Sequence, residues 1–449
     1  MDRRQFLRNG TAASVTAGMI GGMTGMASAQ AEGAKEAPVV ATGGPAIDVK
    51  DFGALGDGKA DDTEAFRKAF LVAGEKTRKN PDGAGVYRVH VPEGRYRITE
   101  TLELGRKHRF LVIEGVGAGK GTGVPSLLFW DGERGGTLID AEACWGLQLR
   151  HIGLLGSRRM LTSSRKRPDD KGLNLEQLHE KYNAAGILLR INSIHGFVAA
   201  EYLFEALSLN DATKGIEIGG SGVDLCGSDM TIEDLGMRDL MTGFQTLGGQ
   251  NVNFTFVRPE VGNCSVGFDF AGGGSVVALL YSGWKCDRFI KIGRTGINNG
   301  NFTFIGFKPE LYKGPMTGRR GVILEAAGGE QVISIKSLCS GCIALFGEKG
   351  DRDTPMFQLG PGAQLSVKDS LISGKIARLS GDTKWPTWLQ MENCRFRAFA
   401  DPRTDIETDA SSGYEVKNCV VATKEKTVFL REHGKYPATP DELVPEYLD

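Results

Sequence analysis

From about residue 100 onward, apolar and polar positions alternate in short runs, and glycine punctuates them. Alternation at period two over four to six residues marks half-buried strands. Sustained helical periodicity is missing there, so any chemistry is expected on strands and turns. The exception lies upstream. Phe66, Ala69, Phe70 and Ala73 share one face of a helix predicted over 63–77, an amphipathic pattern at the helical repeat. At the far end, Thr439-Pro440-Asp441-Glu442 has the form of a capping box and predicts a short terminal helix.

The runs also recur. Phe204-Glu205-Ala206-Leu207-Ser208-Leu209 leads to Gly215-Ile216-Glu217-Ile218, and 28 residues later Ile232 to Met237 leads to Gly243-Phe244-Gln245-Thr246. A step of 24 reaches Phe256 and Gly267-Phe268-Asp269-Phe270, and another 24 reaches Leu280, followed by Phe289-Ile290-Lys291-Ile292. Asn253-Phe254-Thr255-Phe256 returns after 48 residues, and Glu392-Asn393-Cys394 returns after 25 as Lys417-Asn418-Cys419. Such a period, built from short strands, suits one circuit of a solenoid with three strands and three turns. Stacked circuits place equivalent side chains ~4.8 Å apart. The expectation is an all-β solenoid, a β-helix, over 47–421, with a capping segment at 47–100, an insertion at 157–183 and a tail at 422–449. Stacking also accounts for Cys394 above Cys419 as buried thiols, and a lone Cys339-Ser-Gly-Cys342 is weak evidence for zinc or redox work.

Composition narrows this further. Sixty-three of 449 residues are glycine, roughly twice the usual share, and their scatter excludes collagen while favouring many tight turns. A net charge of −1 gives no reason to expect a nucleic-acid partner. The N-terminus reads as an address rather than fold. Arg3-Arg4 precedes Phe6-Leu7, a weakly apolar run and Ala27-Ser28-Ala29, which together resemble a twin-arginine signal peptide over 1–29. The expected partner is then the twin-arginine export machinery, and the expected location periplasmic or secreted. Residues 30–46 read as a flexible linker.

The stretch Asp51 to Phe66, D-F-G-A-L-G-D-G-K-A-D-D-T-E-A-F, followed by Val91-Pro92-Glu93-Gly94, resembles the N-terminal segment of the pectate-lyase-like superfamily over roughly 47–120. That resemblance implies a right-handed parallel β-helix, with rhamnogalacturonase-, polygalacturonase- and epimerase-like relatives. It also implies carbohydrate chemistry, usually on an acidic polysaccharide or oligosaccharide, in a groove on the outer wall. The acids of this stretch are expected to be structural, capping the helix that closes the solenoid. The family's catalytic sets do not carry over. Gly-His-Gly, Arg-x-Lys and Arg-x-Pro-x-x-Arg are all absent, and the one Asn-x-Asp is Asn80-Pro81-Asp82, before the coils begin. Glu114 to Thr122 has the wrong spacing for a P-loop and reads as a turn.

Candidate chemistry therefore comes from stacking. One column is Asp211, Asp239, Asn263 and Asp287. Neighbouring acids there could raise one another's pKa or clamp a cation, and calcium is the one cofactor this reading admits. Equally, acids and amides before a strand are ordinary turn formers. A second column sets Trp284 between Glu260 and Glu310, with Arg258, Tyr281, Lys285 and Lys308 around it to hold sugar rings and uronate carboxylates. Its bland reading is a repeated proline turn. The basic insertion Ser157–Asn183 is either a groove wall or a solvated loop, and His195 reads as packed. Hydrolysis would use Glu260 and Glu310, or Asp211 and Asp239, as acid and base. Elimination would take a base from Lys285, Lys308, Arg258 or Tyr281. The rival reading is a non-catalytic glycan-binding or cell-envelope scaffold.

Overall fold

The computed structural model describes residues 46–79, 87–117, 119–120, 123–161, 168–194, 199–219, 228–248, 252–271, 273–293, 299–340, 353–397, 400–422 and 427–436. The leader and linker, Asn80-Pro81-Asp82, Arg165 to Arg167, His195, Cys342 and the terminal capping box lie outside these residues.

The chain winds as a right-handed parallel β-helix of three-strand coils. Inward side chains of the first face stack in register: Phe204 on Ile232, Ile232 on Phe256, Phe256 on Ala278 and Ala278 on Phe304. On the second face Leu209 lies on Met237, Met237 on Val261 and Val261 on Gly283. On the third, Ile216 lies on Phe244, Phe244 on Phe268 and Phe268 on Ile290. These rows form one continuous apolar core, within which Phe244, Phe256 and Phe268 meet edge-on or tilted at 5.0–6.0 Å between ring centroids. The last strand, Thr427–Lys435, runs antiparallel to Ser412–Ala422.

Each pass from the first face to the second turns on a single left-handed residue. His151, Ala206, Asp234, Arg258, Leu280, Ser337, Asp369, Asn393 and Asn418 occupy this position with φ between 50° and 57°. Non-glycine residues pay about 1–2 kcal/mol for it, so the sharp corner must be held by the ladders on either side. Asp and Asn recur because their short polar side chains tolerate the region best. Here they also bond to one another between coils: Asn393 Nδ2 donates to Asp369 Oδ1 at 3.2 Å.

The coil length is less regular than the sequence suggests. Phe256 pairs with Ala278 rather than Leu280, a step of 22, and the next coil is correspondingly longer at 26, from Ala278 to Phe304. The Asn-Phe-Thr-Phe repeat at 48 is thus in register. Arg258-Pro259-Glu260 and Lys308-Pro309-Glu310, spaced by 50, are not.

The acids of the opening stretch are structural. Asp62, 1 % exposed, accepts from the backbone amides of Leu55 (2.7 Å) and Gly56 (3.2 Å), and Asp61 accepts from Thr63 Oγ1 and Thr99 Oγ1 at 2.6 Å each. They fold the glycine-rich loop back onto the helix Thr63–Lys79, whose Phe66, Ala69, Phe70 and Ala73 are buried against the first coil. Asp62→Ala strands two amides and is expected to cost about 1–3 kcal/mol, read as a lower urea midpoint. An unchanged midpoint would return these acids to solvent.

The described cysteines are free, and Cys394 and Cys419 are stacked, with the Cys394 amide 3.2 Å from Cys419 Sγ. Both are buried, so an alkylating reagent is expected to leave them unmodified until the protein is denatured. Rapid labelling in the native state would contradict the packing.

Candidate active-site groove

The corner between the second and third faces is where coil lengths diverge. In the coils of Asp211, Asp239, Asn263 and Lys285 it is a bare turn on one left-handed residue, with φ of 61°, 54°, 52° and 51°. Before and after these coils the same corner carries long segments: 157–183, which contains the helix Leu175–Lys181, and 311–321. Short turns between long ones leave a trough, and an acid pins each wall. Asp211 holds the first wall through Arg159 Nε (2.8 Å) and Ser157 Oγ. Asp287 holds the second, accepting from Thr317 Oγ1 (2.6 Å) and the amides of Thr317 (2.9 Å) and Met316 (3.1 Å). Asp287 therefore leaves the predicted column: with a coil of 22, Lys285 stands above Asn263, and Asp287 is a loop anchor.

Asp211 and Asp239 are brought together as expected, but their environments differ. Asp211 is 1 % exposed and its oxygens are taken up by Arg159 and Ser157, with His179 Nε2 at 3.7 Å. Asp239 keeps 19 % of its side chain exposed at the floor of the trough. One oxygen accepts from Asn263 Nδ2 at 2.6 Å, while the other is 3.9 Å from Arg159. Burial raises the Asp239 carboxyl above the ordinary range, against the pull of Arg159. His179 bonds through Nε2 to the Asp239 carbonyl (2.9 Å), burial depresses its pKa, and its Nδ1 has no partner among the described residues. This is a neutral imidazole holding the wall down rather than a base facing the trough.

The second column is rearranged. Glu260 pairs with Ser282 and Ser282 with Lys308, whereas Gly262 pairs with Trp284 and Trp284 with Glu310. Glu260 and Glu310 are thus two coils and two residues apart, roughly 12 Å between Cα positions, so Trp284 is not sandwiched between them. Glu260 is bound to Arg238 Nη2 at 2.6 Å. The Trp284 indole leans over Gly262, where any Cβ would collide with it, and Arg238 lies 4.9 Å from the ring centroid. Gly262→Ala is expected to lift the indole off the wall, seen as a shifted tryptophan emission. Unchanged emission would contradict the contact.

Tyr281 is corrected outright: it is fully buried, stacks on Phe307 at 4.2 Å and donates to the Phe289 carbonyl. It touches no substrate and supplies no base. Arg258 sits at the corner between the first and second faces and is engaged bidentately with Asp234 at 2.9 and 2.7 Å. Lys120, from the loop read as a simple turn, crosses the wall to the Arg258 carbonyl at 2.5 Å. Lys285 and Lys308 are exposed, Lys285 at the short second–third corner above Asn263 and Lys308 at the start of the second face in register with Ser282.

A third set escaped the sequence reading. One outward position of the third-face strands, the x of the Gly-apolar-x strands at 215, 243 and 267, is polar in coil after coil: Arg190, Glu217, Gln245, Asp269, Lys291 and Glu325 stack in register. Glu217 (6 % exposed), Gln245 (8 %) and Asp269 (5 %) are buried although they face outward, with Gln245 Nε2 donating to Asp269 Oδ2 at 2.7 Å. Arg190 spans Asp140 (3.3 Å) and Glu217 (3.5 Å). The repeat used to find the core thus also marked this row, because a polar x in successive coils is a polar ladder.

A cation does not fit the Asp211–Asp239 column, because the Arg159 guanidinium already supplies the positive charge there. Among the described residues no group of three or more His, Cys, Asp or Glu side chains is gathered for a metal.

The architecture has solved counterparts. DFA-IIIase from Arthrobacter chlorophenolicus A6 in complex with GF2 superposes with a TM-score of 0.51 at 11 % identity, over 83 % of this chain and 93 % of that one. The same enzyme without its lid gives 0.50 at 10 % identity, over 85 % and 95 %. PfbA, a surface adhesin of Streptococcus pneumoniae, gives 0.47 at 12 % identity, over 86 % and 94 %. At these identities the likeness is one of fold. No curated protein matches the sequence. Residues 46–142 match the family model described as rhamnogalacturonase A/epimerase, pectate lyase-like, so the capping segment and first coils carry the sequence signature of the pectate-lyase-like superfamily.

Proposed function

We propose that this protein is an exported, glycan-active enzyme that hydrolyses an anionic, uronic-acid-containing polysaccharide in the trough between 157–183 and 311–321. One observation carries the reading: Asp239, a carboxyl whose pKa is raised by burial, keeps an exposed edge at the floor of a walled groove. A carboxyl still protonated above the usual range is what protonation of a leaving glycosidic oxygen needs. Glu260, the ion-paired carboxylate on the neighbouring coil, is the partner that activates water, and hydrolysis of this kind requires two such groups flanking the bond. Lys285 and Lys308 supply exposed positive charge for uronate carboxylates. The family match of residues 46–142 supports carbohydrate as the substrate class. The Arg3-Arg4 leader supports twin-arginine export to the periplasm or beyond, with the mature protein beginning near residue 30.

The test is reducing-end release from pectins, alginate and other uronic glycans, with absorbance of unsaturated products followed in parallel. Reducing ends without that absorbance are expected. Unsaturated products would replace hydrolysis by elimination, and binding without any cleavage would leave the scaffold reading in its place.

A further inference from the structure

A strip of amide, apolar and aromatic side chains lies on the first face, away from the trough. The outward row there runs Asn301, Val332, Gln364, Trp388 and Gly413, each in register with the next across adjacent coils. Gly274 and Gly300 border the row, beside a cleft of about 500 Å³ lined by these glycines with Asn301, Glu330, Val332 and Gln364. The row ends on an aromatic platform. Trp388 and Tyr436 stack at 5.5 Å and 30°, and Gly413 places no side chain between them. Glu415 holds the Tyr436 hydroxyl at 3.4 Å.

We propose that this strip binds a neutral, hydroxyl-rich glycan chain lying along the solenoid axis. Side-chain amides both donate and accept, as sugar hydroxyls require. Aromatic faces suit the apolar side of a pyranose ring. Val332, 51 % exposed, and Tyr436, 49 % exposed, are large apolar side chains left uncovered among polar ones, and an uncovered apolar patch with a polar rim marks a binding surface. The coil spacing of ~4.8 Å is comparable with the length of one pyranose unit, so successive sugars meet successive coils. Lysine and arginine are absent from the described lining while Glu330 is present, which turns the strip away from uronates and towards uncharged chains. The site does not rest on the proposed activity, since it shares no residue with the trough.

Titration calorimetry of the full-length protein with cello-, xylo- and malto-hexaose tests it. Binding of at least one of them is expected. Trp388→Ala should weaken it by about tenfold or more, and Gln364→Ala, an exposed change with no bearing on folding, by about threefold. Asp239→Asn should bind unchanged. Absence of binding at millimolar sugar overturns the proposal. So does wild-type affinity in both strip variants whose thermal midpoints are unaltered, and so does loss of neutral-sugar binding in Asp239→Asn, which would place those sugars in the trough.

Discussion

Asp211→Ala is expected to destabilise the protein by about 3–5 kcal/mol, the usual consequence of removing one partner from a buried ion pair. The reason is geometric. Arg159 is only 13 % exposed and reaches Asp211 at 2.6 Å, while its other carboxylate, Asp239, is 3.9 Å away. Without Asp211 a guanidinium remains buried with only a distant counter-charge, Ser157 loses its acceptor, and the wall 157–183 loses its anchor. Removing the charge from both sides should hurt less: Arg159→Met with Asp211→Leu removes both members of the pair, so its cost should fall well short of the sum of the single variants. Urea unfolding with emission and circular dichroism as separate probes reads this. Simple additivity, or a cost below about 1 kcal/mol for Asp211→Ala, would mean the pair is solvated and the wall is held elsewhere.

The same residues show how far the sequence could be read. Stacking at two dozen residues was legible because inward positions are apolar in every coil, and the prediction that Gly215, Gly243 and Gly267 are neighbours holds: a Cβ on Gly243 would meet the Gly267 carbonyl at 2.6 Å. Register beyond that was not. The coil from Phe256 to Ala278 is two residues short, and nothing in its composition announces the deletion, because Leu280 occupies the same left-handed corner as Asp234. A shift of two keeps every side chain on its correct face, so the error is invisible to hydrophobic patterning. It still moves Asp287 out of the acid column and Trp284 off Glu260. Tyr281 failed for a related reason: it precedes an outward position, and its ring completes the core beside Phe268 and Phe307. The sequence left 157–183 open as a groove wall or a solvated loop, and Arg159 and His179 became recognisable only once the structure showed which acids they meet.

Asp239→Asn separates catalysis from stability at one atom. The variant keeps an acceptor for Asn263 Nδ2, which lies 2.6 Å away, and removes the proton donor. Cleavage of a uronic glycan should fall by about 10²–10⁴-fold, the usual contribution of a positioned general acid. The pH profile carries the sharper signature. Because the Asp239 pKa is raised in the fold, the protonated form persists above the ordinary carboxyl value, so wild-type kcat/KM should decline as pH rises through that raised value. The residual activity of Asp239→Asn should lack this limb. Stability should respond in the same sense. A carboxyl with a raised folded pKa contributes fully at pH below its unfolded value and loses that contribution as pH climbs through the folded one. The wild type therefore pays for an ionised Asp239 near neutrality, and the asparagine variant should be at least as stable there and gain relative to wild type as pH increases. Wild-type rates in Asp239→Asn, with an unaltered alkaline limb, would remove Asp239 from the chemistry and leave the exposed edge of this carboxyl as a turn former at a left-handed corner.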